Sequence, residues 1–251
     1  MEIGIGNIEA FKYYIGMLKA VKEEYVLLIT ENGISVRTMD DSHIVMLDAQ
    51  LKNQGNVDTT KLVEEKIMLN VAELSKFLNR IDKDENVKLL YEKDQEKVII
   101  ISRKGGRTRQ FEMKVMDPLD DEAPDPRLKS NVKAHISTKS FENVLRDVEL
   151  VSEHVKIESE KGIFKITGVG DMGSAVSQWK EGSEDLKELR VDGDSSATYV
   201  LKPLKEWIDS VKAKSPAIIL EWSTDLPLQI TLMSDEAGVT AKYYIAPCIG
   251  G

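Results

Sequence analysis

A single cysteine, Cys248, among 251 residues excludes an internal disulfide and any cysteine-rich metal site. Histidine is almost as scarce, with three copies, and His135 and His154 stand without carboxylate or cysteine partners at ligand spacing, so no metal or cofactor site is expected. No apolar run approaches the roughly 18 residues that span a bilayer. The opening MEIGIGNIEA lacks the basic and apolar regions of a signal peptide, which points to the cytosol and to no membrane partner. Basic charge is not in excess either: 34 Lys and Arg against 43 Asp and Glu give a formal charge of −9. That balance argues at first against nucleic acid, whose non-specific affinity comes from neutralised phosphates. Net charge is a sum, however, and does not say where the basic side chains lie.

What the chain does have is an internal repeat. Residues 1–116 and 131–247 carry the same order of apolar landmarks about 130 positions apart. Phe11 matches Phe141, Leu18 matches Val148, and Gly33-Ile34 recurs as Gly162-Ile163. Leu74, Phe77, Leu78 and Ile81 recur as Leu204, Trp207, Ile208 and Val211, and FEMKVMD at 111–117 falls on AKYYIAP at 241–247. Two similar domains are expected, at 1–116 and 131–251, joined by a Pro- and acid-rich connector over 117–130.

Apolar residues at helical spacing predict four helices, around Ile8–Leu18, Val71–Ile81, Phe141–Val148 and Leu204–Val211. Between them, alternating β-branched runs such as 25–30, 34–38, 98–102, 163–167 and 229–232 read as strands, divided by turns such as Glu31-Asn32-Gly33 and Gly105-Gly106. The fold class is therefore α+β, with helices covering one face of antiparallel sheets. Each helix region carries a basic pair seven residues apart: Lys12 and Lys19, Lys76 and Lys83, Lys139 and Arg146, Lys205 and Lys212. Seven residues is close to two turns, so helical members of a pair share a face. Arg80 adds to the second face. Acidic neighbours (Glu9, Glu73, Glu142, Asp147, Glu206, Asp209) dilute the field, so attraction to phosphate is expected to be weak and salt-sensitive.

Three patterns mimic catalytic or cofactor sites. Residues 168–173 fit G-x-G-x-x-G after a strand, but the following SAVSQW reads as another strand where phosphate capture needs a helix N-terminus; a glycine-rich hairpin is expected. Asp40, Ser42 and His43 supply the residue types of a hydrolase triad, yet on extended chain neighbouring side chains point to opposite faces. Trp179, Trp207 and Trp222 lie outside any basic, aromatic-interleaved cluster and read as core or interface. No catalytic centre is expected.

Met39-Asp40-Asp41-Ser42-His43-Ile44 resembles the MDSSHV-type signature of the sliding clamps typified by proliferating cell nuclear antigen. Tyr243-Tyr244-Ile245-Ala246-Pro247 resembles that family's YYLAP ending, and Asp225-Leu226-Pro227-Leu228 its D-x-P-L turn. The resemblance runs in order over nearly the whole chain. It implies a trimeric ring of self or paralogous copies around duplex DNA, contacted without regard to sequence, with helices lining the hole. The ring would act as processivity factor for a DNA polymerase and as a platform for a clamp loader and other replication and repair clients, at the nucleoid of a prokaryote or in a eukaryotic nucleus.

On this resemblance Lys12, Lys19, Lys76, Arg80, Lys139, Arg146, Lys205 and Lys212 would face the duplex. Client peptides would dock on Met39, His43, Ile44, Leu47, Leu119, Ala123, Pro124, Pro227, Tyr244, Ala246 and Pro247. Subunits would join through the edge strand bearing Arg107, Arg109, Phe111 and Lys114 and a neighbour's edge bearing Ser174, Val176 and Lys180, where Glu181 and Glu184 could meet the basic side chains. The chain departs from the family's pattern at the connector, which shows Ala123-Pro124-Asp125 in place of two large apolar residues, and at Cys248, where relatives often carry a basic residue. The competing expectation, motivated by the −9 charge, is a clamp-shaped adaptor that scaffolds clients with little grip on DNA.

Overall fold

The computed structural model describes residues 1–60, 64–118, 123–160, 162–232 and 238–249. The chain folds into two compact units. Unit 1 holds residues 1–39, 47–123 and 235–241, and unit 2 holds 40–46, 124–234 and 242–251. Two short stretches thus belong to units other than those the linear reading of the repeat assigns them.

The first half runs β1 (Glu2–Ile5), α1 (Ile8–Lys19), β2 (Glu24–Thr30), β3 (Gly33–Met39), β4 (Val45–Lys52), β5 (Val57–Asp58), β6 (Glu65–Asn70), α2 (Val71–Leu78), β7 (Asn86–Glu92), β8 (Lys97–Lys104) and β9 (Arg107–Lys114). Apart from a single 3-10 turn at Lys93–Gln95 between β7 and β8, the second repeats it strand for strand and helix for helix: β10 (Val132–Ser137), α3 (Thr138–Glu149), β11 (His154–Glu160), β12 (Ile163–Gly170), β13 (Gly173–Lys180), β14 (Leu186–Val191), β15 (Ser195–Val200), α4 (Leu201–Val211), β16 (Ala217–Trp222), β17 (Leu228–Leu232) and β18 (Val239–Ile245). Strand order repeats too. The run β5-β1-β7-β8-β9 corresponds to β14-β10-β16-β17-β18, and β4-β3-β2-β6 to β13-β12-β11-β15. The register is antiparallel, as in Leu89 opposite Ile100 and Ile157 opposite Ile166.

Local chemistry explains where the helices begin. The Asn7 side chain accepts the Ala10 N–H at 3.1 Å and the Asn70 side chain accepts the Glu73 N–H at 2.9 Å, each satisfying a donor that the first helical turn leaves free. Ser137 caps α3 in the same way. Among the described residues no side chain caps α4, but Pro203 sits in its first turn, where a missing N–H costs no helical bond. The landmarks of the repeat form the cores: Phe11, Leu18 and Leu74 in unit 1 and Phe141, Val148, Leu204 and Trp207 in unit 2 are all buried. Each half of the repeat also stacks an aromatic ring of its second helix on one from its last strand, Phe77 on Phe111 at 5.2 Å and Trp207 on Tyr243 at 4.5 Å. Such offset pairs add about 0.5 to 1.5 kcal/mol beyond area burial.

One helix boundary differs from the periodicity. α2 stops at Leu78, and Arg80 and Ile81 follow in turns closed by bonds to Phe77 and Leu78 carbonyls at 3.0 Å. Ile81 keeps the apolar spacing because it still packs inward, at 2% exposure, without being helical. The G-x-G-x-x-G segment is the β12–β13 hairpin, with Gly170 opposite Gly173. Its glycines answer to packing: a Cβ on Gly168 would lie 2.6 Å from Val148 Cγ1, and one on Gly170 would lie 1.8 Å from the Val151 carbonyl oxygen. The hairpin can therefore lie flush against the end of α3.

Candidate functional site

The eight basic positions fall on the helices or within two residues of their ends. In unit 1, Lys12, Lys19 and Lys76 are helical, and Arg80 lies just past α2. The Lys12 ammonium ties α1 to the turn after α2, donating to the Ile81 carbonyl at 2.7 Å, and pairs with Glu9 at 3.1 Å. Lys76 pairs with Glu73 one turn away, which raises its pKa through their hydrogen bond. Lys83 lies outside α2. In unit 2, Lys139 lies inside α3 near its start, Arg146 is in its last turn, Lys205 is in α4 and Lys212 is the C-terminal cap of α4.

α3 and α4 are held together by charge. Glu142, only 8% exposed, accepts from Lys212 at 2.7 Å and pairs with Arg146 at 2.7 Å through the same oxygen. Asp209 takes Lys212 at 2.6 Å and lies 3.7 Å from both Arg146 and Lys205. Lys205 also reaches Glu149 at 3.3 Å. Burial pushes the Asp209 carboxyl up, but the Lys212 hydrogen bond and the charges of Lys212, Lys205 and Arg146 outweigh it and hold the group below its ordinary value. The same hydrogen bonds, to Asp209 and then Glu142, raise Lys212. Acids that the sequence offered only as diluting neighbours are direct partners across two helices.

The longest strands that end a sheet are β9 in unit 1 and β13 in unit 2, eight residues each. Both alternate exposed and half-buried side chains over most of their length, so Arg107, Lys114, Ser174, Val176 and Lys180 are exposed and Phe111 is half-buried. Arg109 is different. Its guanidinium pairs with Glu85 and donates to the Arg80 carbonyl at 2.8 Å, so it is spent inside its own unit and is not available to Glu181 or Glu184 of another copy. Glu85 is 7% exposed and also accepts from Ser102. The bond from Arg109, then that from Ser102, lowers its pKa to about 2. Sequence reasoning also missed an apolar surface beside β13. Leu150, at the end of α3, and Met172, at the tip of the β12–β13 hairpin, are 83% and 96% exposed, and Val169 is exposed with them. The signal was present, since an apolar residue at a hairpin tip has no local reason to be there.

The peptide-docking positions are unequal. The segment after Met39 is a tight turn rather than extended chain. The Asp40 carboxylate accepts the N–H groups of Ile44 at 2.9 Å and Val45 at 2.7 Å and the Ser42 hydroxyl, and His43 takes a positive φ of 55°. Asp40 is thereby occupied as a turn cap, which rules out a triad by a different route from the one expected. The turn leaves His43 and Ile44 exposed, and the Ala246 N–H donates to the Ile44 carbonyl at 2.8 Å. Tyr199 donates its hydroxyl to the Leu226 carbonyl at 2.8 Å and so braces the turn that presents half-buried Pro227 beside exposed Leu226, an apolar residue of the Asp225–Leu228 motif that was not among the expected docking positions. Met39, Ala246 and Pro247 are half-buried, and Pro124 is exposed. Leu47 is 0% exposed and has no surface to offer a peptide, and Ala123 and Tyr244 have little. Leu119 lies outside the described residues.

Two family descriptions together match nearly the whole chain: "Proliferating cell nuclear antigen, N-terminal domain" over residues 1–123 and "Proliferating cell nuclear antigen, C-terminal domain" over residues 124–248. Among curated relatives, the DNA polymerase sliding clamp of Methanopyrus kandleri is 29% identical over 240 residues, covering 94% of this chain and 93% of the relative. That of Cenarchaeum symbiosum is 25% identical over 236 residues with the same coverage. Among solved structures, proliferating cellular nuclear antigen from Entamoeba histolytica superposes with a TM-score of 0.87 at 22% identity, covering 99% of this chain and 98% of that one. The antigen from Thermococcus kodakaraensis gives 0.86 at 19%, covering 98% and 99%.

Proposed function

Because this chain belongs to the proliferating cell nuclear antigen family, we propose that it is a DNA sliding clamp, a ring that encircles duplex DNA and keeps a polymerase and other client enzymes on the template. The observation that carries this reading is the unbroken match of both family domains over residues 1–248, joined to relatives named DNA polymerase sliding clamp over more than nine-tenths of their length.

The ring closes, in this reading, when β9 of one copy lies beside β13 of the next, three times over. An unpaired edge strand is a liability until something covers it. Two such edges of eight residues each, one per unit, suit a head-to-tail contact. Leu150, Val169, Met172 and Val176 supply apolar area on one side. Phe77 and Phe111, stacked and half-buried, supply it on the other. Arg107 and Lys114 meet Glu181 and Glu184 at the rim, where charge pairs orient the partners but are worth only about 0 to 1 kcal/mol.

The helices, with Arg80 just past α2 and Lys212 capping α4, carry the DNA-facing positions Lys12, Lys19, Lys76, Arg80, Lys139, Arg146, Lys205 and Lys212. Contacts to phosphate position a protein without reading sequence, which is what free sliding requires. Clients dock through short peptides at Ile44, Leu226, Pro227, Ala246 and Pro247, with His43 and Met39 at the margin. The protein works by topology, with no chemical step, in the nucleoid or nucleus where its DNA lies. The test is retention. After loading onto nicked circular DNA the protein stays bound, and it runs off once the circle is linearised; equal loss from both forms contradicts the reading.

A further inference from the structure

The balance of charge differs among the eight DNA-facing positions. Five of them, Lys12, Lys76, Arg146, Lys205 and Lys212, are already matched to a carboxylate of the same chain. Lys19, Arg80 and Lys139 are exposed, and no ion pair of their side chains exists among the described residues. The matching is densest in unit 2, where three cations, Arg146, Lys205 and Lys212, meet three carboxylates, Glu142, Glu149 and Asp209. Two of those acids sit at the seam between α3 and α4, Glu142 almost fully buried. An exposed carboxylate such as Glu73 trades its partner for a phosphate easily, whereas Asp209 is half-buried and shared among three cations. A buried carboxylate cannot follow a cation outward, and pulling the cation away leaves a desolvated charge behind.

We infer that Glu142 and Asp209 are attenuators of DNA contact: they hold Arg146, Lys205 and Lys212 to the protein, so that phosphate contact falls chiefly to Lys19, Arg80 and Lys139, joined by Lys76, whose exposed partner Glu73 releases it. The inference rests on the clamp reading. It accounts for a sliding surface built from abundant basic side chains in a protein of net charge −9. The charges fix the helix pair, and only part of the basic set remains to grip. Weak grip is useful here, because each phosphate neutralised adds about 0.9 to the logarithmic salt slope and slows movement along the duplex.

The test is equilibrium binding of the purified protein to a short fluorescent blunt duplex, which needs no loader, at salt concentrations up to about 0.15 M. Glu142→Gln/Asp209→Asn keeps side-chain volume and one acceptor oxygen on each side chain while removing the negative charges that hold the cations. It is expected to bind about tenfold tighter at low salt, with a slope steeper by about 1 to 2. Asp94→Asn/Glu188→Gln alters the formal charge equally at exposed sites off the four α-helices and is expected to bind as the wild type does. Lys19→Gln/Arg80→Gln is expected to lose several-fold more affinity than Arg146→Gln/Lys205→Gln, a comparison that stands even if the acidic variant folds poorly. Light-scattering mass and thermal melting report that each variant is folded and assembled. The inference is overturned if the two acidic-site variants bind alike, or if the two basic-pair variants lose affinity equally, while the wild type is still retained on nicked circles. Loss of that retention would instead remove the clamp reading itself.

Discussion

β9 and β18 occupy the same place in the two halves of the repeat, as do β4 and β13, yet they differ in what surrounds them. β18 buries Val239, Ala241, Tyr243, Tyr244 and Ile245, and β4 buries Val45, Met46, Leu47, Ala49 and Leu51. β9 fully buries only Met113, and β13 buries no side chain completely. Composition follows: VTAKYYI and VMLDAQLK in the buried strands, RTRQFEMK and GSAVSQWK in the exposed ones. Duplication supplies one architecture twice, and divergence then assigns two strands to the interior of the chain and leaves two as edges. The retained apolar residues near those edges, Phe111, Val176, Met172 and Leu150, are what a surface awaiting another copy should keep.

The contrast is broken most severely at an internal strand. Tyr243→Ala removes a ring fully buried against Trp207 and is expected to cost about 3 to 5 kcal/mol in urea unfolding. Phe111→Ala, on a half-buried ring of the equivalent strand, should cost roughly 1.5 kcal/mol in the isolated subunit and act mainly on assembly. Next in size, Met172→Asp/Val176→Asp should weaken self-association by at least about 100-fold, near 3 kcal/mol, shifting the light-scattering mass toward 28.2 kDa with little change in unfolding of the single subunit.

Smaller again is the ion pair behind β9. Arg109→Ala strands the enclosed Glu85 and is expected to cost about 2 kcal/mol. The pH dependence follows from the lowered pKa of Glu85, about 2 in the folded chain against an ordinary 4.5. A depressed acid binds protons more readily when unfolded, so its contribution is full above roughly pH 5 and disappears as pH falls toward 2. Glu85→Gln should flatten the stability profile in that window alone; an unchanged slope would show that the pair does not act this way. The least effect belongs to Lys114→Ala, exposed on β9. It should leave unfolding within about 0.5 kcal/mol and weaken association slightly, only at low salt.

The repeat, the four helix faces and the hairpin glycines were legible because they depend on spacing along the chain. Where spacing outlasted the element, the reading overshot: Ile81 continues the apolar period of α2 but lies in a turn after the Asn79 cap. The Met39–Ile44 motif was legible as a motif, whereas its conformation depends on the Asp40 carboxylate folding back on two backbone N–H groups, which residue types alone do not dictate. Partners distant in sequence were the least visible. Arg109 lies 24 positions from Glu85 and Lys212 lies 70 from Glu142. Each basic residue therefore read as free for DNA or for a neighbouring subunit until tertiary structure brought its acid beside it.

The meeting of β9 with β13 of another copy is tested most directly by cross-linking. With Cys248→Ser in the background, Gln110→Cys on β9 and Gln178→Cys on β13 supply one thiol on each exposed edge. They would be bridged by a short bis-maleimide of roughly 10 Å, about two strand spacings. The expected product ladder stops at three chains, near three times 28.2 kDa, and neither single-cysteine variant goes beyond a dimer. Chains that remain monomeric, or a ladder that continues past three, would contradict a closed ring.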